Sequence, residues 1–304
     1  MKKIGIALVL VFTFFGSSVQ AQAAIKIPAF YVALGDSLAA GQTPNSQIDA
    51  GYADMIAGEL ARHQPVALFT KDLAFPGFTT EDVLERIKSP EAKEVLASAN
   101  IITLSAGAND LLRLVQVNPK EGSLTFQQIQ ADFALNEARQ NMEAILAELK
   151  ARAPKADVYV MGYYFAYPHV RDSQKEGTGK QLDRLNAILK QSAAKAGAQF
   201  VPVDAAFGAS PTDKVPNPAD VHPNFTGYQA MANAFLEQYQ KGWKVENTEL
   251  PAPNPLSFEQ ILQAQEQGAA STENPPALEN TSAMRPSEKV ELDYLALREV
   301  LPYI

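Results

Sequence analysis

The stretch that decides the fold is Ala29–Leu38, AFYVALGDSL, in which an apolar run leads directly into a Gly-Asp-Ser-Leu turn. The run predicts a buried strand, and the turn places Ser37 at the strand's carboxyl end, where parallel α/β sheets bind their ligands. A serine hydroxyl is a weak nucleophile until a neighbouring base takes its proton. Asp220–Pro223, DVHP, supplies a candidate base near the other end of the chain. Because Asp and Ser also cap helices, this stretch alone does not predict an enzyme.

Five short apolar runs alternate with helical patterns over residues 30–239. Such runs, bounded by turn residues, are typical of buried parallel strands. Their alternation with helices predicts a three-layer α/β/α fold with a five-stranded parallel, flavodoxin-like sheet. The predicted strands are Phe30–Leu34, Ala67–Leu73, Ile101–Ser105, Val158–Tyr164 and Phe200–Val203. The predicted helices are Tyr52–His63, Glu81–Ile87, Phe126–Arg152, Lys180–Ala196 and Phe225–Tyr239.

Local signals set the ends of several of these helices. Ser89-Pro90 ends the second helix, and Gly197 ends the fourth. Thr125, with Gln128 three positions on, predicts a capping box at the start of the third. Gly177–Lys180, GTGK, lacks the earlier glycine and the following Ser or Thr of a phosphate loop, so we interpret it as a flexible linker before a helix.

The first 23 residues have the pattern of a secretory signal peptide. Lys2 and Lys3 precede the apolar run Ile4–Phe15, and Ala21–Ala23 offers small residues for cleavage after Ala23. The apolar run is short for a membrane span. We therefore expect a secreted protein with no integral membrane span after cleavage. An uncleaved N-terminal anchor is the alternative.

The composition changes after Gly242, where prolines interrupt a stretch rich in Ser, Asn, Glu and Gln. We therefore place the main domain at residues 24–242 and a Pro-rich extension at residues 243–304. Two short helical patterns remain in the extension, Phe258–Gln267 and Glu288–Leu301. The apolar stripe of the second pattern predicts that it docks on the main domain.

Composition excludes several classes of function. The chain contains no cysteine, which rules out disulfides, thiolate metal sites and a lipoprotein anchor. The formal net charge is −8, and loss of the two lysines of the signal peptide, with no acidic residue, would make it −10. Because an acidic surface repels nucleic acid, we expect no nucleic-acid partner. The sequence lacks a His-Glu-x-x-His motif, and we expect neither a metal nor a cofactor.

Four spaced blocks carry a family resemblance. They are Tyr31–Leu38, Ala74–Thr80 (AFPGFTT), Leu104–Asp110 (LSAGAND) and Asp220–Pro223. In these blocks and their order, across roughly residues 30 to 240, the chain resembles the GDSL, or SGNH, hydrolases. The resemblance implies a lipase-like or esterase-like acylhydrolase on a flavodoxin-like fold.

The resemblance also implies a role for particular residues. It makes Ser37 the nucleophile and His222 its general base. It assigns the oxyanion hole to the backbone N–H groups of Ser37 and Gly77 and the side-chain amide of Asn109. A glycine lets substrate approach the backbone closely, and an amide donates without carrying a charge. Considered singly, Asn109 could cap a helix, Gly77 could form a turn, and His222 could lie at a helix entrance.

The chain departs from the family pattern at the third member of the triad. The family's aspartate lies three residues before the histidine, and that position is Ala219 here. Asp220, two residues before His222, can reach the ring through a tighter turn and is the preferred assignment. A backbone carbonyl could orient the ring instead, and Asp204 is a more distant option.

The other two histidines are weaker candidates for the base. His63 lies at a predicted helix end, where a solvated side chain is expected. His169 follows the aromatic run Tyr163–Tyr167, at the edge of the sheet that carries Ser37, and is either a substrate contact or part of a surface loop. Two interpretations of the aromatic run are open: it lines an acyl or ring pocket, or it belongs to the core.

These observations lead to one expected function and two alternatives. We expect a secreted serine esterase or lipase-like acylhydrolase that cleaves small-molecule, lipid or acylated-sugar esters through an acyl-enzyme on Ser37. A carbohydrate acetyl esterase that acts on cell-wall or plant polysaccharide would use the same catalytic parts, because fold and triad do not set the substrate. The alternative outside enzymes is a secreted binding module on this fold. The Gly-x-Ser-x-Gly elbow of the α/β-hydrolases is absent from the sequence.

Overall fold

The computed structural model describes residues 27–250. The predicted signal peptide and both helical patterns predicted in the extension lie outside the described residues. Within residues 27–250, no helix is both long enough and apolar enough to cross a bilayer.

A five-stranded parallel sheet forms the centre of the fold, in the order β2-β1-β3-β6-β7, and β4 pairs with β5 in a separate antiparallel hairpin. Counting only the strands of the central sheet, the order is 2-1-3-4-5, which is that of a flavodoxin-like fold. The predicted fold class is therefore confirmed. The strands are β1 (Ala29–Gly35), β2 (Val66–Ala74), β3 (Ile101–Ser105), β4 (Gln116–Asn118), β5 (Ser123–Thr125), β6 (Asp157–Met161) and β7 (Gln199–Val201).

Helices cover both faces of this sheet. One layer holds α2 packed against α9, and the other holds α3, α6 and α7, with α6 between its two neighbours. The helices are α1 (Ser37–Ala40), α2 (Tyr52–His63), α3 (Thr80–Lys88), α4 (Pro90–Ser98), α5 (Ala108–Leu112), α6 (Gln128–Arg152), α7 (Asp172–Ala196), α8 (Val203–Phe207) and α9 (Phe225–Tyr239), followed by a 3₁₀ turn at Asn247–Glu249.

The central strands are buried because helices lie over both of their faces. Every residue of β3 is buried, and so is every residue of β1 except the half-buried Phe30. Tyr31 of β1 and Thr103 of β3 pair their buried hydroxyls in a 2.9 Å hydrogen bond, whereas the buried Tyr52 hydroxyl of α2 has no hydrogen-bond partner among the described residues. The ends of β1, β2 and β3 thus meet at one rigid edge, on which a site can be built.

Two local predictions were wrong. Helix α7 begins at Asp172, so residues 177–180 lie inside a helix and are not a linker. Thr125 ends β5, and α6 begins only at Gln128, so the predicted capping box is not formed. Ser89 ends α3, as predicted, and it also caps α4 through the N–H of Ala92, with Pro90 at the first helical position.

The predicted fourth strand also ends early, at Met161. A side chain at Gly162 would lie 2.8 Å from the Phe200 ring and 2.9 Å from the Val201 carbonyl oxygen, so a glycine is required where the chain leaves the sheet. Tyr163 and Tyr164 therefore lie beyond the strand, at the edge of the sheet where Ser37 lies.

The packed structure continues past Gly242, where composition places the end of the domain. Trp243 stacks on His63 with ring centroids 4.0 Å apart, so His63 ends α2 as predicted but is covered by a ring on one side. Val245 is buried, and its N–H donates to Asn233. Apolar residues in this segment anchor it to α2 and α9 before the proline-rich sequence begins.

Candidate active site

Ser37 is fixed at the carboxyl end of β1 by the turn that precedes it. Gly35 has a φ of 134°, and a Cβ there would lie 1.9 Å from the Ser105 carbonyl oxygen, so only glycine fits. Asp36 then caps α1 by accepting a 3.0 Å hydrogen bond from the N–H of Leu38. Ser37 occupies the first position of that helix and is mostly buried. Its N–H lies in a first turn, where backbone N–H groups lack intrahelical acceptors.

A continuous chain of hydrogen bonds joins Ser37, His222 and Asp220. His222 Nε2 lies 2.7 Å from Ser37 Oγ, and His222 Nδ1 lies 2.6 Å from Asp220 Oδ1. The side chains of His222 and Asp220 are largely buried, at 13% and 15% exposed. The structure thus brings together the serine, histidine and aspartate in the geometry of a nucleophile, a base and an orienting carboxylate.

The turn around Asp220 explains how an aspartate only two residues before His222 reaches the imidazole ring. Asp220 Oδ1 accepts the backbone N–H of His222 at 2.7 Å as well as the ring nitrogen. This bond between a side chain and the backbone two residues on tightens the turn, as Asp side chains commonly do. Tyr164 supports it by donating to the Val221 carbonyl at 2.8 Å, while its ring stacks on Phe207 at 4.0 Å. Of the candidates left open by the sequence, Asp220 holds the position beside His222.

Asn109 and Gly77 follow the two strands that flank β1. Asn109 lies in α5, directly after β3, and lines the same cavity as Ser37 and His222. Its Nδ2 donates to the Phe78 carbonyl oxygen at 2.9 Å, and an amide NH₂ group carries a second hydrogen beyond this bond. Gly77 lies in the turn after β2 with a φ of 84°, a conformation that favours glycine. The bond from Asn109 to Phe78 therefore ties the two predicted oxyanion-hole loops together.

A buried carboxylate, which sequence reasoning missed, strengthens the link between these loops. Asp110 accepts from the N–H of Thr80 at 3.0 Å and from its hydroxyl at 2.6 Å. Asn141 of α6 donates in turn to the Thr80 hydroxyl at 3.1 Å. Burial raises the pKa of Asp110, and the hydrogen bonds from Thr80 oppose that rise. Since Asp110 follows Asn109 and Thr80 lies three residues after Gly77, this pair fixes one loop against the other.

A second buried carboxylate, also missed, lies directly before the serine. Asp36 accepts from Ser105 Oγ at 2.6 Å and from Tyr163 Oη at 2.5 Å, in addition to the cap on Leu38. Burial raises the pKa of Asp36, and these hydrogen bonds oppose the rise. Burial and the neighbouring Asp36 raise the pKa of Tyr163 well above its ordinary value, so its hydroxyl stays protonated and donates. The Ser37 turn is thereby tied to the end of β3 and to the segment after β6.

An elongated apolar cavity opens beside Ser37. Its polar groups at the catalytic end are Asp36, Ser37, Asn109 and His222, and most of the remaining wall is apolar. The space in and at the mouth of this cavity, counted together with open solvent, is about 860 Å³. All five residues of the aromatic run 163–167 line it, and Tyr163 and Tyr164 also belong to the hydrophobic core, so the run serves as both pocket wall and core. His169 lies elsewhere, in a separate small cavity, with its Nε2 2.8 Å from the Val215 carbonyl oxygen.

The described residues offer no cluster suited to a metal. Within residues 27–250, no group of three or more His, Asp or Glu side chains is arranged to hold an ion.

The fold and site together define a carboxylic ester hydrolase of the α/β/α class. The chain belongs to the GDSL-like Lipase/Acylhydrolase family, whose family model matches residues 33–230. That match covers residues 33–38 of the first block and the whole of the other three.

Similar proteins include two from Bacillus. The chain is 24% identical over 212 residues to the uncharacterized protein YpmR of Bacillus subtilis, covering 69% of this chain and 80% of that protein. It is 23% identical over 215 residues to the spore germination lipase LipC of Bacillus licheniformis, covering 66% of this chain and 92% of that one.

Solved structures share the fold. The lipase Lip_vut3 from a goat rumen metagenome aligns with a TM-score of 0.55 at 21% identity, over 70% of this chain and 97% of its own. A catalytic mutant of Axe2, an acetylxylan esterase from Geobacillus stearothermophilus, aligns with a TM-score of 0.51 at 19% identity, over 73% and 100%.

The pair formed by Asp110 and Thr80 leads to the first prediction. Thr80→Val removes the hydroxyl that donates to Asp110 but keeps the side chain's shape. We expect kcat to fall by roughly tenfold with little change in KM, because a loosened oxyanion hole loses transition-state stabilisation more than substrate binding. Kinetics with a p-nitrophenyl ester measure both constants.

Thr80→Ser is the matched control, since it keeps the hydroxyl and should keep kcat close to that of the unmodified protein. An unchanged kcat in Thr80→Val would show that Asp110 and Thr80 contribute only to folding.

Proposed function

We propose that the protein is a secreted serine esterase that cleaves carboxylic esters through an acyl-enzyme on Ser37. The observation that carries this proposal is the unbroken hydrogen-bond chain from Ser37 to Asp220, which opens onto an apolar cavity. Family membership supports the ester-hydrolase chemistry.

In the first half of the reaction, Ser37 attacks the ester carbonyl. His222 Nε2 takes the proton from Ser37 Oγ as the bond from oxygen to the carbonyl carbon forms. The carboxylate of Asp220 holds the ring by its Nδ1–H and stabilises the imidazolium. His222 then gives the proton to the departing alcohol oxygen as the ester C–O bond breaks, which leaves the acyl group on Ser37.

Water completes the reaction through the same groups. His222 takes a proton from water, the oxygen attacks the acyl carbonyl, and the acid leaves as the proton returns to Ser37 Oγ. Each tetrahedral intermediate carries a negative oxygen that needs fixed donors. The N–H groups of Ser37 and Gly77 and the amide of Asn109 fill this role in the proposal. The bonds around Phe78 and Thr80 pre-position the last two donors.

Acetyl ester hydrolysis on a polysaccharide is the second candidate. The structural similarity to an acetylxylan esterase favours it at the level of fold. A binding module without catalysis is disfavoured, because a binder has no need of a serine and a histidine 2.7 Å apart in a cavity.

Secretion is proposed from the N-terminal sequence. The two lysines, the apolar run and Ala21–Ala23 support it. We expect the protein to be recovered from the culture medium of its host with Ala24 as its first residue. Intact-mass measurement checks this, and a full-length, cell-bound product would count against it.

The nucleophile gives the central functional prediction. Ser37→Ala removes one hydroxyl at a strand end and should lower ester turnover by roughly 10⁴–10⁶-fold while the fold persists. It should also abolish covalent labelling by a serine-directed organophosphonate, followed by mass spectrometry. Circular dichroism checks the fold.

Ser98→Ala, at an exposed position on α4, is the matched control and should keep both activity and labelling. Substantial turnover by purified Ser37→Ala protein would refute the acyl-enzyme.

A further inference from the structure

We infer that the apolar cavity beside Ser37 holds the acyl chain of the substrate, and that the substrates are esters of medium-length fatty acids, of roughly eight to ten carbons. The inference rests on the proposed function, because it takes Ser37 as the group that attacks the carbonyl. It separates the two candidate activities, since an acetyl group would leave almost all of this cavity unfilled.

The cavity starts beside the oxyanion hole. A Cβ on Gly107, two residues before Asn109, would lie 3.1 Å from Leu185 Cδ1, so Leu185 lies against the loop that carries the amide. Leu185 lines the cavity together with Leu111 and Leu112 of α5. An acyl carbonyl held at Ser37 and Asn109 would therefore direct its first methylenes onto leucine side chains.

Helix α7 gives the cavity its length. Leu185, Leu182 and Thr178 all line it and lie three and four residues apart, which places them on one stripe of the helix. Seven residues of helix extend about 10 Å. A zigzag hydrocarbon advances somewhat less than one C–C bond of about 1.5 Å per carbon, so this stripe accommodates roughly eight carbons.

The β4–β5 hairpin fastens the start of α7, the helix whose stripe lines the cavity. Gln174 of α7 accepts from the N–H of Leu124 at 3.1 Å and donates to its carbonyl at 2.8 Å, as a neighbouring strand would. The N–H of Arg171 donates to the Gly122 carbonyl at 2.9 Å. Leu124 packs with Phe165 in a small apolar cluster, against which Leu182 also lies. These contacts also explain why α7 extends through residues 177–180 despite two glycines.

Three hydroxyl groups along the walls are already bonded to protein groups. Thr178 Oγ1 donates to the Gln174 carbonyl at 2.9 Å, and the Tyr163 and Tyr164 hydroxyls donate to Asp36 and Val221. Sugar hydroxyls placed beside these three groups would lose water without gaining partners from them, which is costly. A hydrocarbon chain has no such requirement and gains from burial, by roughly fourfold in affinity for each methylene.

A chain-length series on the unmodified protein tests this assignment. We expect kcat/KM for p-nitrophenyl esters to rise by at least about 30-fold from acetate to octanoate, a fraction of the full burial gain. It should fall again for palmitate, which exceeds the cavity. A preference for acetate that depends on Ser37 would overturn the inference and leave the proposed function standing. No Ser37-dependent hydrolysis of any ester would overturn both.

Two variants test the location of the chain. Thr178→Phe fills the far end of the stripe, and should lower kcat/KM for octanoate by at least about tenfold while acetate hydrolysis stays unchanged. Ala187→Phe adds a ring at an exposed position of the same helix and should change neither. Equal losses on both esters in folded Thr178→Phe protein would overturn the location.

Leu182→Ala covers the case in which Thr178→Phe fails to fold. It removes apolar contact with the chain but adds no bulk, so octanoate hydrolysis should fall and acetate hydrolysis should not. Unchanged octanoate hydrolysis in Leu182→Ala would also overturn the location.

Discussion

The structure of the site depends on one hydrogen bond, 2.7 Å long, between Ser37 Oγ and His222 Nε2, which joins residues 185 positions apart in the sequence. Neither side chain can be placed by its own segment. Ser37 is held at the end of β1, whereas His222 is held in the turn before α9. Asn217 fastens that turn to the loop after α1 by donating to the Pro44 carbonyl at 2.8 Å. The central sheet supplies the rigid edge on which the distance between Ser37 and His222 is set.

Two buried carboxylates hold the site rigid, and hydrogen bonds offset the free-energy cost of burying their charge. Burial disfavours the charged form of Asp36 and of Asp110, and each is compensated by at least two short hydrogen bonds from neighbouring elements. Asp36 ties the nucleophile's turn to β3 and to the segment after β6. Asp110 ties the loop after β3 to the loop after β2. The loops that carry the proposed oxyanion-hole donors, Gly77 and Asn109, are therefore fixed before any charge develops, which is the main physical requirement of an oxyanion hole.

Sequence patterns predicted the sheet well, because its buried strands are local apolar runs with clear ends. They predicted the start of α7 badly, since Gly177 and Gly179 disfavour a helix locally while Gln174 binds the distant Leu124. The four blocks identified Ser37, Gly77, Asn109 and His222 as candidates. The two-residue spacing could not by itself assign Asp220 as the partner of His222. Whether the Asp220 carboxylate reaches the ring depends on a turn that the same carboxylate closes. The partners of Asp36 and Asp110 lie 30 to 127 residues away, and no local pattern encodes such pairs.

We propose that Ser37, His222 and Asp220 act as one unit, and a double-mutant cycle tests this claim most directly. The kcat values of Asp220→Asn, His222→Ala and the double variant would be compared on one p-nitrophenyl ester. We expect Asp220→Asn to lower kcat by up to about 10⁴-fold through the wrong ring tautomer, and the double variant to be no worse than His222→Ala alone. A loss below about tenfold in Asp220→Asn, or losses that multiply in the double variant, would contradict the claim and leave a dyad of Ser37 and His222.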